Sequence, residues 1–379
     1  MKNSFNIFLI SISLIGIQSM ISCKKSDTET NPQPTQAQII ENNIKAALDS
    51  VIANTHVPGL VAGIWAPNEG INLVYTAGEA NLETHAPMSA DMIFRIGSNT
   101  KTFTVTVLLQ LVDEGLISLN EKLSTYMPNF PRADEVTIEM LTNMRSGIIS
   151  YSELVPFLTT WYTDPTHFWT TDELIALAAN ADTIYLFDPG TSYSYSNTNT
   201  IILQKIIESV SGVSLEAQIR SRIINPLGLI NTAYLIGGTQ LPGYHPSGYW
   251  YNYYMPELPE LTELLDVSWA AAAGSMISDI FELKTYAKAL VDGTFLSDTL
   301  QQHRLACHDM GKSMIKYGMG IFEYKGFYGH NGGIHGFSSL MIHSSQRNCT
   351  IIIWYNCFLE DSEPTDLITI IPKLIYPEL

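Results

Sequence analysis

Runs of residues typical of β-strands lie at both ends of this chain, and helical patterning fills most of the sequence between them. The strand-like runs cover residues 60–65 and 71–77 near the amino end and 317–324, 338–343 and 349–355 near the carboxyl end. Short turns separate neighbouring runs, which is typical of antiparallel strands. The simplest arrangement is one sheet formed by both ends, with the intervening region inserted as a lobe.

Helical periodicity places a helix at each end of the folded region. The first covers residues 39–52, and the last covers 366–376, where Pro372 would kink or shorten it. The strongest internal helices cover residues 102–114, 199–211 and 280–290. The predicted fold class is α+β: an antiparallel sheet formed by both chain ends and covered by terminal helices, with an inserted, mostly helical lobe at about 98–300. A cleft is expected where lobe and sheet meet, with residues 244–254 as a loop over it.

The first residues are organised like a secretory signal peptide. Lys2 is followed by an apolar run at 7–17, which is shorter than the roughly 20 residues that span a bilayer. The tetrapeptide Met-Ile-Ser-Cys that ends at Cys23 resembles the lipobox of bacterial lipoproteins. We therefore expect a signal peptide over residues 1–22 and an exported chain, anchored to the cell envelope through lipid on Cys23 and facing periplasm or exterior. A plain signal peptide with an incidental cysteine is the alternative.

Residues 23–37 are polar, contain proline and lack apolar periodicity, which predicts a flexible tether before a folded domain at 38–379. The chain has 20 Lys and Arg against 37 Asp and Glu, a formal net charge of −17. Such an acidic surface argues against nucleic acid as a partner. Cys307, Cys349 and Cys357 form no C-x-x-C pair, and both one disulfide and three reduced thiols remain open.

A serine followed three residues later by a lysine occurs three times, starting at Ser22, Ser98 and Ser313. On a helix these two positions are neighbours, so the amine can take the serine proton. Ser98 differs from the others because a long helix-forming run follows it, which places it among the free N–H groups of a helix start. Lys101 would be partly desolvated there, which lowers a lysine pKa. On spacing alone, a helix-capping serine and a surface lysine remain the ordinary explanation.

Two further segments carry candidate chemistry. In the first, a Pro-Gly turn leads into an extended piece in which the side chains of Tyr195 and Asn197 point the same way. Tyr195 could relay protons, and Asn197 could hold a substrate amide carbonyl. A packed tyrosine and a helix cap are the alternatives. The segment 328–338, which includes His330, has four glycines within eight residues and is placed immediately before a strand, so a ligand or another backbone is expected to approach it closely. Gly333 would offer an N–H opposite Ser98 for an oxyanion, and His330 a titratable group.

Three motifs together resemble those of the serine β-lactamase and DD-peptidase superfamily, the penicillin-recognising enzymes. They are Ser98-Asn99-Thr100-Lys101, Tyr195-Ser196-Asn197 and His330-Asn331-Gly332. The similarity is to the branch with class C β-lactamases, DD-carboxypeptidases and related esterases, and it extends over about residues 40–355. Supporting segments cover residues 111–123, 143–147, 226–229 and 268–274.

The resemblance implies a role for each matching residue. Ser98 would be the acylated nucleophile, Lys101 the base that activates it and Tyr195 the relay that protonates the leaving group. Asn197 would contact a substrate amide, and the N–H groups of Ser98 and Gly333 would form the oxyanion hole. The reaction would proceed through a covalent acyl-enzyme without metal or organic cofactor.

The third motif departs from the family pattern. His330, which is also a candidate catalytic residue, occupies the position that is Lys in class C β-lactamases, and Asn331 replaces the usual Thr or Ser. The segment 318–324 lacks the Arg that some DD-carboxypeptidases place there. These departures weaken recognition of a substrate carboxylate. Asn331, Gly332 and Trp269 are expected around the substrate.

The sequence therefore predicts an exported serine hydrolase for small-molecule or peptide substrates with amide or ester bonds, of the D-amino-acid type. Esters and neutral amides should be better substrates than β-lactams or peptides with a free carboxyl terminus. A β-lactamase and a non-catalytic receptor for cell-wall fragments are the alternatives. The oligomeric state is not indicated.

Overall fold

The computed structural model describes residues 33–251, 258–311, 314–359 and 365–379. The predicted signal peptide, Cys23 and Ser313 lie outside the described residues. None of the described helices is long and apolar enough to span a membrane. Cys307, Cys349 and Cys357 are all free thiols, so the open question of a disulfide among them is answered by three reduced side chains.

The strands come mainly from the two ends of the chain. They are β1 Gly59–Ala66, β2 Ile71–Asn81, β3 Ala86–Pro87, β4 Phe94–Arg95, β5 Ala233–Tyr234, β6 Tyr249–Tyr251, β7 Met276–Ser278, β8 His308–Asp309, β9 Lys316–Tyr317, β10 Phe322–Tyr324, β11 Phe327–Ile334, β12 Phe337–Ser344, β13 Cys349–Tyr355 and β14 Cys357–Leu359. Nine of them form one antiparallel sheet in the order β3-β2-β1-β13-β12-β11-β10-β9-β8. Strand β1 from the amino end and strand β13 from the carboxyl end are therefore neighbours within the sheet, and Leu60 pairs with Tyr355.

Most helices lie between the two sets of strands. They are α1 Gln36–Asn54, α2 Thr100–Asp113, α3 Ile138–Thr142, α4 Val155–Thr163, α5 Thr171–Ala179, α6 Asn197–Ser211, α7 Leu215–Ile219, α8 Asn225–Leu227, α9 Ala271–Gly274, α10 Ile280–Val291, α11 Asp298–Leu305 and α12 Thr365–Ile375. The predicted α+β fold, with a sheet from both chain ends and an inserted helical lobe, is confirmed. The last helix continues through Pro372 and is not shortened there.

The two faces of the sheet bury different helices because side chains alternate along each strand. In β1, Leu60 and Ala62 share a core with the terminal helices α1 and α12, whereas Val61 and Trp65 share the core of the helical lobe. Every residue of β1 is buried, as expected for a central strand that is covered on both faces. The terminal helices thus close one face, and the lobe closes the other.

Helix α2 lies at the centre of the lobe and is buried on all sides along most of its length. It contacts α6, α7 and α9. The hydroxyl groups of its buried threonines donate to backbone carbonyls: Thr102 donates to the Asn99 carbonyl at 2.7 Å, and Thr104 donates to the Ala272 carbonyl of α9 at 2.9 Å. A helix without a solvent-exposed face is a rigid support for the residues at its amino end.

Two local predictions are wrong. The run 317–324 is not one strand, because Gly320 adopts φ 63° and separates β9 from β10. The glycine-rich segment around His330 does not merely precede a strand but forms β11 itself, paired along its length with β12. Its glycines are needed for close packing: a Cβ on Gly332 would lie 2.0 Å from the Ile96 carbonyl oxygen.

The expected loop at 244–254 contains a short strand, β6, which pairs with β14. Residues 252–257 are outside the described part of the chain.

The all-round burial of α2 generates a stability prediction. Leu108 is fully buried in the lobe core, so Leu108→Ala should lower the free energy of unfolding by about 2–5 kcal/mol. Leu116, which follows the same helix and is 53% exposed, provides the matched control. Leu116→Ala should change that free energy by less than about 1 kcal/mol, measured by urea denaturation. Equal losses for the two leucines would contradict the central position of α2.

Candidate active site

Ser98 lies in a short 3-10 turn, Gly97–Asn99, that leads directly into α2. The turn is held from both sides. The Asn99 side chain donates to the Ile96 carbonyl at 3.2 Å and to the Ser339 hydroxyl at 2.9 Å, which ties it to β12. Gly97 has φ 52°, and a Cβ there would lie 2.9 Å from the Gly333 nitrogen. The backbone around Ser98 is therefore pressed against β11.

Lys101 is the second residue of α2, about one turn after Ser98, and is fully buried. Its Nζ lies 3.0 Å from Ser98 Oγ and 2.8 Å from the Ala273 carbonyl oxygen. Burial holds the pKa of this lysine well below its usual value of 10.5. A neutral amine donates to the carbonyl and presents its lone pair to the serine hydroxyl, so the pair can transfer the Ser98 proton to Lys101.

Tyr195 covers this pair, with its ring centroid 4.8 Å from Lys101 Nζ. Asn197 is the first residue of α6 and not part of an extended piece, so the expected period-two relation between Tyr195 and Asn197 is wrong. Both side chains nevertheless line the same cleft as Ser98. Asn197 Nδ2 donates to Ser152 Oγ at 3.0 Å, which fixes the orientation of the amide.

The third motif is divided between two sides of β11. Asn331 and Gly333 line the cleft, as does Trp269, whereas Gly332 packs beneath it against the Ile96 carbonyl. Ser98 and Gly333 therefore line one cavity, and the oxyanion hole formed by their N–H groups stays a prediction.

His330 lies behind the cleft rather than in its lining, and its side chain is 1% exposed. Nδ1 lies 2.5 Å from the Asn331 carbonyl, so this nitrogen carries the proton, and Nε2 accepts from the Tyr317 hydroxyl at 3.0 Å. Burial, with the nearby charge of Lys101, lowers the pKa of His330 to about 3. A catalytic role for His330 stays a prediction, and its contacts suit the positioning of β11 beside Tyr195.

The cleft has a volume of about 640 Å³ and is largely walled by aromatic rings. These rings belong to Phe157, Trp161, Tyr162, Trp250, Trp269 and Phe358. Sequence reasoning named only Trp269 among them, because the others come from helix α4 and from strands β6 and β14, which tertiary structure brings together. Such a wall suits an apolar or aromatic substrate group.

His335 is a cleft residue that sequence reasoning missed. Its ring lies between Trp161 and Trp269, with centroid distances of 4.4 and 5.1 Å. Burial, aided by the charge of Arg95, lowers its pKa to about 3. The alternation of Asn331 and Gly333 along β11 places both in the cleft, but His335 lies in the turn directly after this strand, where that period no longer applies.

Glu153 is a second missed residue and the acidic group of the cleft. Partial burial raises its pKa, and none of the ion pairs in the described part of the chain involves it. No lysine or arginine lines the cleft among the described residues. The lining thus offers a carboxylate to a substrate cation and no ammonium or guanidinium to a substrate carboxylate.

Solved structures with the same fold include two D-amino-acid enzymes. A D-stereospecific amidohydrolase from a Streptomyces species is 30% identical, with a TM-score of 0.76, and the match covers 84% of this chain and 94% of that chain. The D-amino acid amidase of Ochrobactrum anthropi SV3 has a TM-score of 0.76 at 23% identity, covering 90% and 100% of the two chains, and shows the fold alone.

Curated relatives include two kinds of protein. A penicillin-binding protein of Bacillus subtilis (strain 168) is 26% identical, over 76% of this chain and 66% of its own length. A D-aminopeptidase of Brucella anthropi is also 26% identical, over 83% of this chain and 59% of its own length. The chain thus spans about three fifths to two thirds of these relatives. The family profile described as Beta-lactamase matches residues 40–371, most of the chain. The resemblance predicted from the three motifs is confirmed, and this chain belongs to the β-lactamase family.

Proposed function

We propose that this chain is a serine hydrolase that cleaves amides or esters of D-amino acids through an acyl-enzyme. The observation that carries the proposal is the Ser98–Lys101 pair, with 3.0 Å between Oγ and Nζ and a fully buried amine of lowered pKa. A serine next to a neutral amine is an activated nucleophile at ordinary pH. The D-aminopeptidase and D-stereospecific amidohydrolase among its relatives support the substrate class.

Each residue has a separate role in the proposed acylation and deacylation steps. Ser98 Oγ attacks the substrate carbonyl carbon while its proton passes to Lys101 Nζ, and the N–H groups of Ser98 and Gly333 stabilise the oxyanion. Tyr195 relays that proton to the departing nitrogen or oxygen as its bond to carbon breaks. Water then attacks the acyl-enzyme carbonyl and loses a proton to Lys101; as the bond between the carbonyl carbon and Ser98 Oγ breaks, Lys101 returns this proton to Oγ, and the acid is released.

The charge of the cleft selects the substrate. A D-amino-acid amide carries an ammonium group beside its carbonyl and no carboxylate. Glu153 pairs with that ammonium, while the aromatic wall receives the side chain. β-Lactams and peptides ending in a carboxylate bring a charge that the described lining leaves unpaired, which costs binding energy.

The first experiment tests the nucleophile and its base. Ser98→Ala and Lys101→Met should each lower kcat/KM for D-phenylalanine amide by about a thousandfold or more. Because the base works as the neutral amine, acylation should rise with pH and reach its plateau well below pH 10.5. His330 and His335, with pKa values of about 3, should add no inflection near pH 6.5.

The control for this experiment is Ser313→Ala, which removes the other serine of the folded domain that has a lysine three residues later. Fluorophosphonate labelling mapped by mass spectrometry should remain on Ser98 in that variant. Labelling of Ser313 in the natural protein, or full activity of Ser98→Ala, would overturn the assignment.

The second experiment tests the carboxylate of the cleft. The natural protein should prefer D-phenylalanine amide over its N-acetyl derivative by about three- to tenfold in kcat/KM, since one ion pair at a partly solvated site contributes modestly. Glu153→Gln should abolish this preference. Glu83→Gln, in the exposed turn between β2 and β3, should retain it. A preference that survives in Glu153→Gln would remove Glu153 from substrate recognition.

Export through a lipid anchor completes the proposal. The apolar run before Cys23 and the polar tether after it support lipidation of this cysteine. Cys23→Ser should move the protein from the membrane fraction to the soluble fraction of cells, as measured by fractionation and immunoblotting. Equal fractionation of the two forms would contradict the anchor.

A further inference from the structure

A second cavity of about 160 Å³ adjoins the cleft behind Tyr195. The two cavities share four lining residues, which are Tyr193, Tyr195, Met310 and Asn331. The remaining lining is apolar except for one hydrogen-bonded pair, His330 and Tyr317. The smaller cavity is therefore a largely apolar extension on the Tyr195 side of the cleft, and no residue of α4 is among its described lining residues.

The chemistry assigns this side to the leaving group. Under the proposed function, Tyr195 delivers the proton to the atom that departs from the substrate carbonyl, so the departing group lies next to Tyr195. We propose that the smaller cavity binds the leaving group and selects substrates whose alcohol or amine portion carries an uncharged apolar group. The inference rests on the proposed function and deepens it.

Two polar groups of this cavity, those of Tyr317 and His330, are hydrogen-bonded to each other, whereas the buried Tyr193 hydroxyl has no hydrogen-bond partner among the described residues. The Tyr317 hydroxyl donates to His330 Nε2 at 3.0 Å, and His330 Nδ1 donates to the Asn331 carbonyl at 2.5 Å. Burial raises the pKa of Tyr317 far above its usual value and lowers that of His330 to about 3, so neither group carries charge near neutral pH. No lysine or arginine is among the described lining residues. A carboxylate on the leaving group would lose water and find hydroxyl donors at most, with no cation in the described lining to pair with.

The volume sets the size of the group. A dry cavity of about 150 Å³ lined by aliphatic and aromatic side chains is large enough to bind benzene. The cavity behind Tyr195, at about 160 Å³, therefore accepts a phenyl ring or a branched alkyl group. A methyl leaving group would leave most of it empty and forgo the corresponding apolar burial.

The test compares leaving groups on one acyl group. D-Alanine methylamide, D-alanine benzylamide and D-alanylglycine form the same acyl-enzyme, so differences in kcat/KM report leaving-group recognition. We expect benzylamide to exceed methylamide by about tenfold or more and D-alanylglycine to be the poorest substrate. A benzylamide-to-methylamide ratio of kcat/KM near one, or a preference for D-alanylglycine, would overturn the inference about the smaller cavity. Because these substrates would still be hydrolysed, the proposed function would stand. Absence of turnover together with absence of Ser98 labelling would instead refute the proposed function.

A cavity-filling variant localises the effect. Ile315 is half-buried and lines the smaller cavity, so Ile315→Phe should bring the benzylamide-to-methylamide ratio close to one. Leu158→Phe, on α4, where the side chain lines the cleft but not the smaller cavity, should leave that ratio unchanged. The ratio does not depend on the concentration of folded enzyme, so partial misfolding does not obscure it. An unchanged ratio in Ile315→Phe would place the leaving group elsewhere.

A measurement on the natural protein gives an independent check. An amine that attacks the acyl-enzyme occupies the leaving-group site in reverse, so benzylamine should capture the D-alanyl enzyme about tenfold more efficiently than methylamine at equal concentrations of free base. Product ratios measured by chromatography decide the matter. Equal capture of the two amines would contradict the proposed site.

Discussion

Complete burial of one amine, that of Lys101, is the constraint on which the rest of this structure depends. A lysine exposed to water keeps its proton at ordinary pH and cannot accept another. Burial lowers its pKa, but it requires that the helix carrying it be covered on every side. Helices α6, α7 and α9 contribute to that cover, and the Ala273 carbonyl in α9 gives the amine a hydrogen-bond acceptor. The core of the lobe and the chemistry of the site thus have the same origin.

Contact between the sheet and the Ser98 turn is set by backbone atoms rather than by side chains. Gly97 and Gly333 approach so closely that an added Cβ would clash, and the same holds for Gly332 against the Ile96 carbonyl. Backbone contact of this kind fixes the position of the Ser98 turn relative to β11 more tightly than contacts between flexible side chains can. This explains why a glycine-rich segment, which looks like a turn in the sequence, lies in the interior of a sheet.

Much of the fold and of the chemical centre could be predicted from the sequence. The strand pairs and long helices carry strong periodicity, and Ser98, Lys101 and Tyr195 lie in motifs whose order along the chain is distinctive. The aromatic wall could not be predicted, because Trp161 and Phe358 reach the cleft only through tertiary packing. Glu153 carries no local pattern at all. The division of 317–324 depends on the conformation of one glycine, Gly320, and the residue type alone does not reveal that conformation.

His330 links the mechanism to the choice of substrate. A protonated histidine behind Tyr195 would place a positive charge close to the amine that must accept the Ser98 proton, and positive charges on both groups would disfavour each other. The hydrogen bonds from the Tyr317 hydroxyl and to the Asn331 carbonyl instead hold the imidazole in one neutral tautomer. Lys101 then owes its lowered pKa to burial alone. The same neutrality deprives the leaving-group side of a counter-ion for a carboxylate, so keeping His330 uncharged beside the base also restricts the charge of the molecules that the site can process.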